Sequence, residues 1–432
     1  MKSSSLYDSI KIRCNKKSYA ILIICTLVVS FSCTSENKRS KNESNMAKNE
    51  QHQPGTFGYD MNLLADKQEI IVLKSADKRS QVLLSTDYQG RVMTSTLDGP
   101  GGYSMGWINH DLIRSGEIQD HINAYGGEDR FWLGPEGGQF SLFFEPDVPF
   151  DFDHWKTPEE IDTEPFDLIS FNDSSARFKK EMTLMNYSGT QFNLLVNRNV
   201  KLLTQSEIER LLGVSIVQGM LFVGVETENS ITNTGEFSWT KETGMLSVWI
   251  LGMLNPSPGT TIVIPFREGA KDKLGQIVND EYFGKVPADR LINDEGVLYF
   301  KGDGKYRSKV GLTPVRAKPV VGSYDGERNV LTVVQFTLPE GRNNYVNSMW
   351  ELQDDPFSGD AVNSYNDGPL EDGSQMGPFY ELESSSPAAN LAPGETLVHY
   401  HRTIHFKGGE EDLDPIAKAL FGVGIAEINA VF

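Results

Sequence analysis

The chain has 432 residues, 23% of them charged, and a formal net charge of −19. Its first 32 residues hold five basic residues and one acid, so the remainder carries −23, which argues against nucleic acid or an anionic membrane surface as partners. Cys14, Cys25 and Cys33 are the only cysteines, so nothing beyond residue 33 can build a disulfide or a thiolate metal site.

Taken in chain order, Lys2, Lys11, Arg13, Lys16 and Lys17 precede an apolar run, Ala20–Val29, and then Ser30-Phe31-Ser32-Cys33. The run is shorter than the ~20 apolar residues that span a bilayer. It reads as a signal peptide over residues 1–32, with Cys33 as the lipidated residue of an exported bacterial lipoprotein in the periplasm or outer membrane. Residues 33–56 are polar and without aromatic residues, the composition of a flexible tether. The remainder, 57–432, reads as one domain.

A short helix is expected near Tyr59–Asp66. From residue 69 onward, Val-, Ile-, Phe- and Thr-rich runs alternate with Gly, Asn, Asp and Pro, the pattern of antiparallel strands. The runs are 69–73, 81–85, 91–96, 140–144, 175–185, 191–203, 221–229, 245–254, 261–265, 296–300, 329–336, 379–383 and 396–406. Thr204-Gln-Ser-Glu207 is a capping box for a helix over Ile208–Leu212 that stops at Gly213. Asp414-Pro415 opens a second helix, Ile416–Phe421, before Gly422. No fixed-period repeat is present, so the pattern predicts a large, mainly β antiparallel sandwich with a few short helices.

The stretch Tyr125–Gly138, YGGEDRFWLGPEGG, concentrates unusual residues. It is not a phosphate loop: no Lys-Ser or Lys-Thr follows the glycines, and the chain runs on into an expected strand rather than a helix. Glu128, Asp129, Arg130, Trp132 and Glu136 offer what a sugar ring asks for, namely planar hydrogen-bonding groups and an aromatic face. They equally suit an ion-paired turn in which Arg130 pairs with Glu128 or Glu136 and Trp132 is core.

Near the C-terminus, Tyr380-Glu381-Leu382-Glu383 places two glutamates on one strand face, where neighbouring carboxyls raise each other's pKa and supply an acid or base. A solvated sheet face has the same pattern. On the next strand His399, His401 and His405 share a face. His-x-His is a possible metal pair, yet His405 lies about 13 Å further along an extended strand, so polar lining is expected instead and no metal. Lys305, Arg307 and Lys309 also share a face, and Arg198, Arg267 and Arg316 are further cations. Asn347, Trp350, Asn366 and Asp367 sit in a long polar loop suited to a binding rim. HExxH is absent, and no thiol remains for nucleophilic chemistry. No cofactor is expected.

The order of these features resembles the galactose mutarotase-like, or aldose 1-epimerase-like, group. The resemblance rests on a Gly-Arg-Val step in STDYQGRVMTST, the GG-x-x-R-x-W loop, an Asn-Thr-Gly turn in ITNTGEFSW, and the closing block YELESSSPAANLAPGETLVHYHRTIHF. It spans roughly residues 68–408 and is similar to a lipoprotein branch of that group. It implies a β-supersandwich and a carbohydrate ligand, with Glu381 or Glu383 as the base that takes the anomeric proton. Arg130 becomes a substrate contact, with Glu128, Trp132, Glu136, Arg267, Trp350, Asn366, Asp367 and His399 as the further lining. The histidine expected after the central Asn-rich turn is missing, so His121, or His399 or His401, takes the place of the acid. The alternatives that follow are a sugar epimerase, a non-catalytic glycan binder and a structural envelope lipoprotein.

Overall fold

A computed structural model of the protein describes residues 52–432. The expected signal peptide, Cys33 and most of the tether lie outside the described residues.

Helix α1 (Phe57–Ala65) leads into a meander of β1 (Ile70–Lys74), β2 (Gln81–Ser85) and β3 (Arg91–Thr96). α2 (His110–Ser115) precedes β4 (Arg130–Gly134), and α3 (Glu159–Asp162) precedes β5 (Asp167–Phe171), β6 (Ser175–Met185) and β7 (Gln191–Leu202). After α4 (Gln205–Leu212) come β8 (Leu221–Asn233), β9 (Ser247–Leu254) and β10 (Thr260–Pro265). α5 (Lys271–Leu274) is followed by β11 (Leu291–Asp294), β12 (Val297–Lys301), β13 (Ser308–Leu312), β14 (Val320–Asp325) and β15 (Val330–Phe336). The chain closes with β16 (Val362–Asn366), β17 (Tyr380–Ser385), β18 (Thr396–Lys407), α6 (Glu410–Phe421) and α7 (Ile425–Asn429).

These strands form antiparallel sheets: a ten-stranded one in the order β11-β12-β10-β14-β15-β18-β8-β7-β6-β5, a five-stranded one in the order β13-β16-β17-β9-β4, and the β1-β2-β3 meander. The two larger sheets share an apolar layer. Phe131, Leu133 and Ile250 of the small sheet belong to one buried cluster with Val196, Val225 and Ile231 of the large one. Leu382, Val362 and Val310 join Ile262, Val321 and Val334 in another. On the far face of the large sheet, Ile404 and Phe406 pack with Ile208 of α4 and with Leu413, Ile416 and Phe421 of α6. The fold is thus mainly β and antiparallel, as the residue pattern predicts.

The capping box of α4 forms as expected: the Thr204 side chain accepts from the Glu207 amide, and Glu207 accepts from the Thr204 amide. α6 begins earlier than the Asp-Pro signal predicts. Glu410, Glu411 and Asp412 fill its first turn, where negative charge meets the positive end of the helix dipole.

The expected strand at 140–144 does not form. Its backbone is used locally, Ser141 N–H donating to the Gly138 carbonyl at 3.0 Å and Leu142 N–H to that of Pro135 at 3.1 Å. Its rings, Phe140, Phe143 and Phe144, are buried all the same. The strand lies instead at Arg130–Gly134, inside the glycine-rich stretch. Gly126 and Gly127 just before it have φ of +94° and +118°, and a Cβ at Gly126 would run into the Trp107 carbonyl. Those glycines let the backbone turn against its neighbour.

Candidate functional site

The five-stranded sheet organises the site through its register. Arg130 of β4 lies opposite Leu251 of β9, Leu251 opposite Glu383 of β17, and Glu383 opposite Asn363 of β16. Two residues along, Glu381 lies opposite Met253 and Tyr365, and Tyr365 opposite Lys309 of β13. On the other side of the Arg130 row, Trp132 lies opposite Trp249. Side chains alternate between faces, so Arg130, Trp132, Trp249, Glu381, Glu383 and Lys309 all project from the face turned away from the large sheet. The glutamate pair, the arginine and the tryptophan singled out in the sequence therefore share one surface.

That surface is charged yet closed. Arg130, Glu381 and Glu383 are 2%, 5% and 0% exposed. One oxygen of Glu383, Oε2, accepts from the Trp249 indole N–H at 2.9 Å and from the Lys309 ammonium at 3.0 Å. Its Oε1 has no protein partner among the described residues. The Lys309 ammonium sits 4.9 Å from the Trp249 ring centre and 5.6 Å from that of Tyr282. Burial pulls this ammonium toward neutrality, but Glu383, Glu136 and Glu381 outweigh it and hold the lysine above its ordinary range.

Glu381 differs from its neighbour. Among the described residues its carboxyl makes only a 3.5 Å contact with Arg130 Nη2, at the limit of a hydrogen bond. Burial first, and the Glu383 charge second, push its pKa up to about 8, against the pull of Arg130 and Lys309. At neutral pH it keeps its proton. Arg130 lies over the Trp132 ring with its guanidinium carbon 4.1 Å from the centre, and its Nε and Nη1 have no protein acceptor among the described residues.

Loops close the face. Trp350 Nε1 donates to Glu136 Oε1 at 3.2 Å, and burial raises the Glu136 carboxyl despite nearby Lys309. Phe143 packs on Trp132 at 5.2 Å between ring centres, Trp155 stacks on Phe143 at 6.0 Å, and Trp350 stacks on Trp155 at 5.7 Å. On the lysine side the Tyr282 hydroxyl donates to Asp360 Oδ2 at 2.6 Å. Burial, only partly offset by that hydrogen bond and by Lys309, pushes Asp360 to about 6. Asp367 accepts from the Tyr365 hydroxyl at 2.8 Å at the margin of the face.

Other expected site residues lie elsewhere. His399 and His401 project from β18 into the layer between the sheets, on the opposite side of β17 from the glutamates. His399 Nε2 and His401 Nδ1 each lie 2.8 Å from the Ser384 hydroxyl. Burial lowers their pKa values to about 3 and about 4, so they are neutral core groups that cannot reach a ligand beside Glu381. Glu128 also turns inward: it accepts from the Ser95 hydroxyl at 2.9 Å and pairs with His405 Nε2 at 3.2 Å. Asp129 pairs with Arg198 at 2.6 Å in the same layer. Arg267 donates to the backbone carbonyls of Pro314 and Ala317 and braces a loop. Asn366 points to the other face of β16, where its amide fixes Gly304 and Tyr306. His121 Nδ1 contacts the Trp155 carbonyl at 2.6 Å, so it holds the aromatic cover rather than the carboxylates.

Several residues of the face are not singled out by the sequence patterns: Trp249, Tyr282, Asp360 and Asn363, whose surroundings come from strands and loops far apart in the chain. Lys309 does stand out there, through its alternation with Arg307 and Lys305. Gly102-Tyr103-Ser104-Met105-Gly106 has the G-x-S-x-G spacing of a serine nucleophile turn. The Ser104 hydroxyl donates to Asp60, and His110 meets the other oxygen of that aspartate at 2.6 Å. The carboxylate stands between serine and imidazole, so the imidazole does not reach the hydroxyl as it does in a triad.

Comparison with curated proteins finds no match. Several solved structures similar to this one are aldose 1-epimerase-like or galactose mutarotase-like proteins. A putative aldose 1-epimerase from Escherichia coli K12 is 13% identical, with 78% of this chain and 99% of that one covered and a TM-score of 0.45. A galactose mutarotase-like protein from Lactobacillus casei ATCC 334 is 9% identical, with 78% and 100% covered and a TM-score of 0.44. The Slr1438 protein from Synechocystis sp. PCC 6803 is 12% identical, with 79% and 97% covered and a TM-score of 0.49. The sequence itself belongs, through residues 55–432, to a family of unknown function, DUF6786.

Proposed function

We propose that the Arg130–Glu381–Glu383 face binds a sugar and interconverts its anomers by proton transfer. The observation that carries this reading is the difference between the two carboxyls. Glu381 holds its proton at neutral pH, while Glu383 is met at 3.0 Å by the Lys309 ammonium and keeps one oxygen free of partners among the described residues. Glu383 takes the proton of the anomeric hydroxyl, and Glu381 gives its proton to the ring oxygen. The bond between C1 and the ring oxygen breaks, leaving an open-chain aldehyde. Rotation about the C1–C2 bond and the reverse transfers give the other anomer and restore both carboxyls. The acid that the missing histidine leaves unfilled is thus supplied from the same strand as the base. Arg130, over Trp132, holds a polar substituent of the ring.

Proton NMR of a freshly dissolved single anomer tests the chemistry. Wild-type protein accelerates equilibration of at least one sugar in a panel, and Glu383→Gln abolishes the effect. Unaltered mutarotation across the panel would overturn the proposal.

A second reading, non-catalytic glycan binding, is favoured by the Arg130 donors that have no partner among the described residues, which hold a ligand whether or not its bonds change. It predicts saturable binding in both wild type and Glu383→Gln with no turnover in either. We further propose that the protein is an exported lipoprotein acylated at Cys33. Cells fed a labelled fatty acid then incorporate it into the wild type and not into Cys33→Ser; label retained by the variant would refute this.

A further inference from the structure

Arg130 has a neighbour of its own kind. Val92 of β3 and Asp129 exchange backbone hydrogen bonds at 3.2 and 3.3 Å in an antiparallel bridge. That bridge joins the meander to the five-stranded sheet and sets Arg91 beside Arg130 on the site face, since Val92 and Asp129 both turn into the core. Arg91 is 0% exposed. It donates through Nη1 to the Gly126 carbonyl at 3.0 Å and through Nη2 to Gln89 Oε1 at 2.8 Å. The stacked Tyr88 and Tyr125 rings lie beside it, their centres 5.6 and 5.9 Å from its guanidinium carbon.

Two guanidiniums buried side by side repel one another. Burial, then the Arg130 charge, lowers Arg91 to about 9. The carboxylate that acts on both is Asp162 of α3. Its Oδ2 is taken by the backbone and side-chain N–H groups of Asn123, at 3.0 and 2.8 Å. Its Oδ1 has no partner among the described residues, nor do Nε of Arg91 or Nε and Nη1 of Arg130. Among the described residues, three cationic N–H donor sites and one carboxylate acceptor thus stand unmatched around Arg130, whose Nη2 meets Glu381 at 3.5 Å. Nothing in the anomeric chemistry asks for a second guanidinium here.

We propose that this corner of the site receives a carboxylate carried by the sugar, so that the ligand is a uronic acid rather than a neutral aldose. This rests on the sugar-binding reading above. The carboxylate accepts from the unmatched N–H groups of Arg91 and Arg130, the pairing a planar guanidinium makes best. A hydroxyl on the adjoining carbon donates to Asp162 Oδ1, which a second carboxylate oxygen could not do. A pyranose uronic acid presents the carboxylate on C5 and a hydroxyl on the adjoining C4.

Isothermal titration of the full-length protein at pH 7 with D-galacturonate, D-glucuronate, the matching neutral hexoses and their 6-phosphates tests this. A uronate binds at least about tenfold more tightly than its neutral counterpart. Arg91→Gln brings that ratio close to one, while Asp162→Asn, which removes the opposing charge, raises it. Equal or weaker binding of the uronates, tighter binding of the 6-phosphates, or a preference unchanged by Arg91→Gln would each overturn the inference. Where the neutral hexoses bind as well as the uronates, the sugar-site reading stands and the carboxylate corner falls. Where no sugar binds, the sugar-site reading itself is lost and this inference with it. The wild-type preference alone decides the question should the Arg91 variant fail to fold.

Discussion

Replacing Glu381 by glutamine removes a carboxyl that the fold keeps protonated to about pH 8, where the ordinary value is 4.5. Between those limits the native state holds a proton that the unfolded chain releases. The stability this group contributes is therefore complete below pH 4.5 and is lost as pH rises toward 8. Within the window each pH unit lowers wild-type stability by about 1.4 kcal/mol, a slope the glutamine variant lacks. The side chain is only 7% exposed, so solvent screening takes little from that figure. Asp360 and Glu136 are raised by burial as well, but both proteins retain them and they drop out of the difference. Urea unfolding followed by tryptophan fluorescence at pH 5, 6 and 7 is the measurement. The variant should gain on the wild type by about 2–3 kcal/mol from the lowest to the highest pH. Parallel profiles would refute the claim that Glu381 is neutral in the folded protein, and the acid role with it.

Lys309→Met should destabilise the protein by about 3–5 kcal/mol, because it leaves the wholly buried Glu383 without its cation; a loss below about 1 kcal/mol, measured by denaturant titration, would mean the pair is exposed. Arg198→Met should cost a similar amount by stranding Asp129 between the sheets, with no change in the sugar affinity of the protein that remains folded. The ring-proton NMR signals of His399 and His401 should not move between pH 7.5 and pH 5.5, since burial holds both groups neutral down to about pH 4. A titration in that range would contradict their placement in the inner layer. The same histidines work against the fold in acid: the unfolded chain binds their protons below the ordinary 6.5, so their contribution falls as pH drops toward 4.

The strand pattern was legible where a run alternates or is bounded by turns. The runs at 81–85, 91–96 and 175–185 match β2, β3 and β6 to the residue. β4, β13 and β16 escaped because each is five residues long and carries Arg, Trp, Lys or Asn at the positions where alternation would show. Their polar positions line the candidate site. Glu381, Glu383 and Arg130 could be read as chemistry-bearing from spacing alone, and β9 lies between their strands. What spacing could not give was the face each histidine occupies. His399 and His401 obey the same period-two rule as the glutamates, but on β18 that rule aims them at Ser384 and the inner layer. Glu128 likewise sits two residues from Arg130, yet the twisted backbone after Gly126 and Gly127 sends it inward.

The aromatic cover has a kinetic consequence. On the proposed sugar-binding reading, with Phe143, Trp155 and Trp350 stacked across Trp132 and Glu136, a ligand entering on that side would meet the paired carboxyls only after those rings have moved aside. Opening is a unimolecular event that no concentration of ligand accelerates. The observed association rate therefore climbs with ligand and then levels at the opening rate. Trp155 and Trp350 themselves supply the fluorescence by which that plateau can be followed in a stopped-flow mixer.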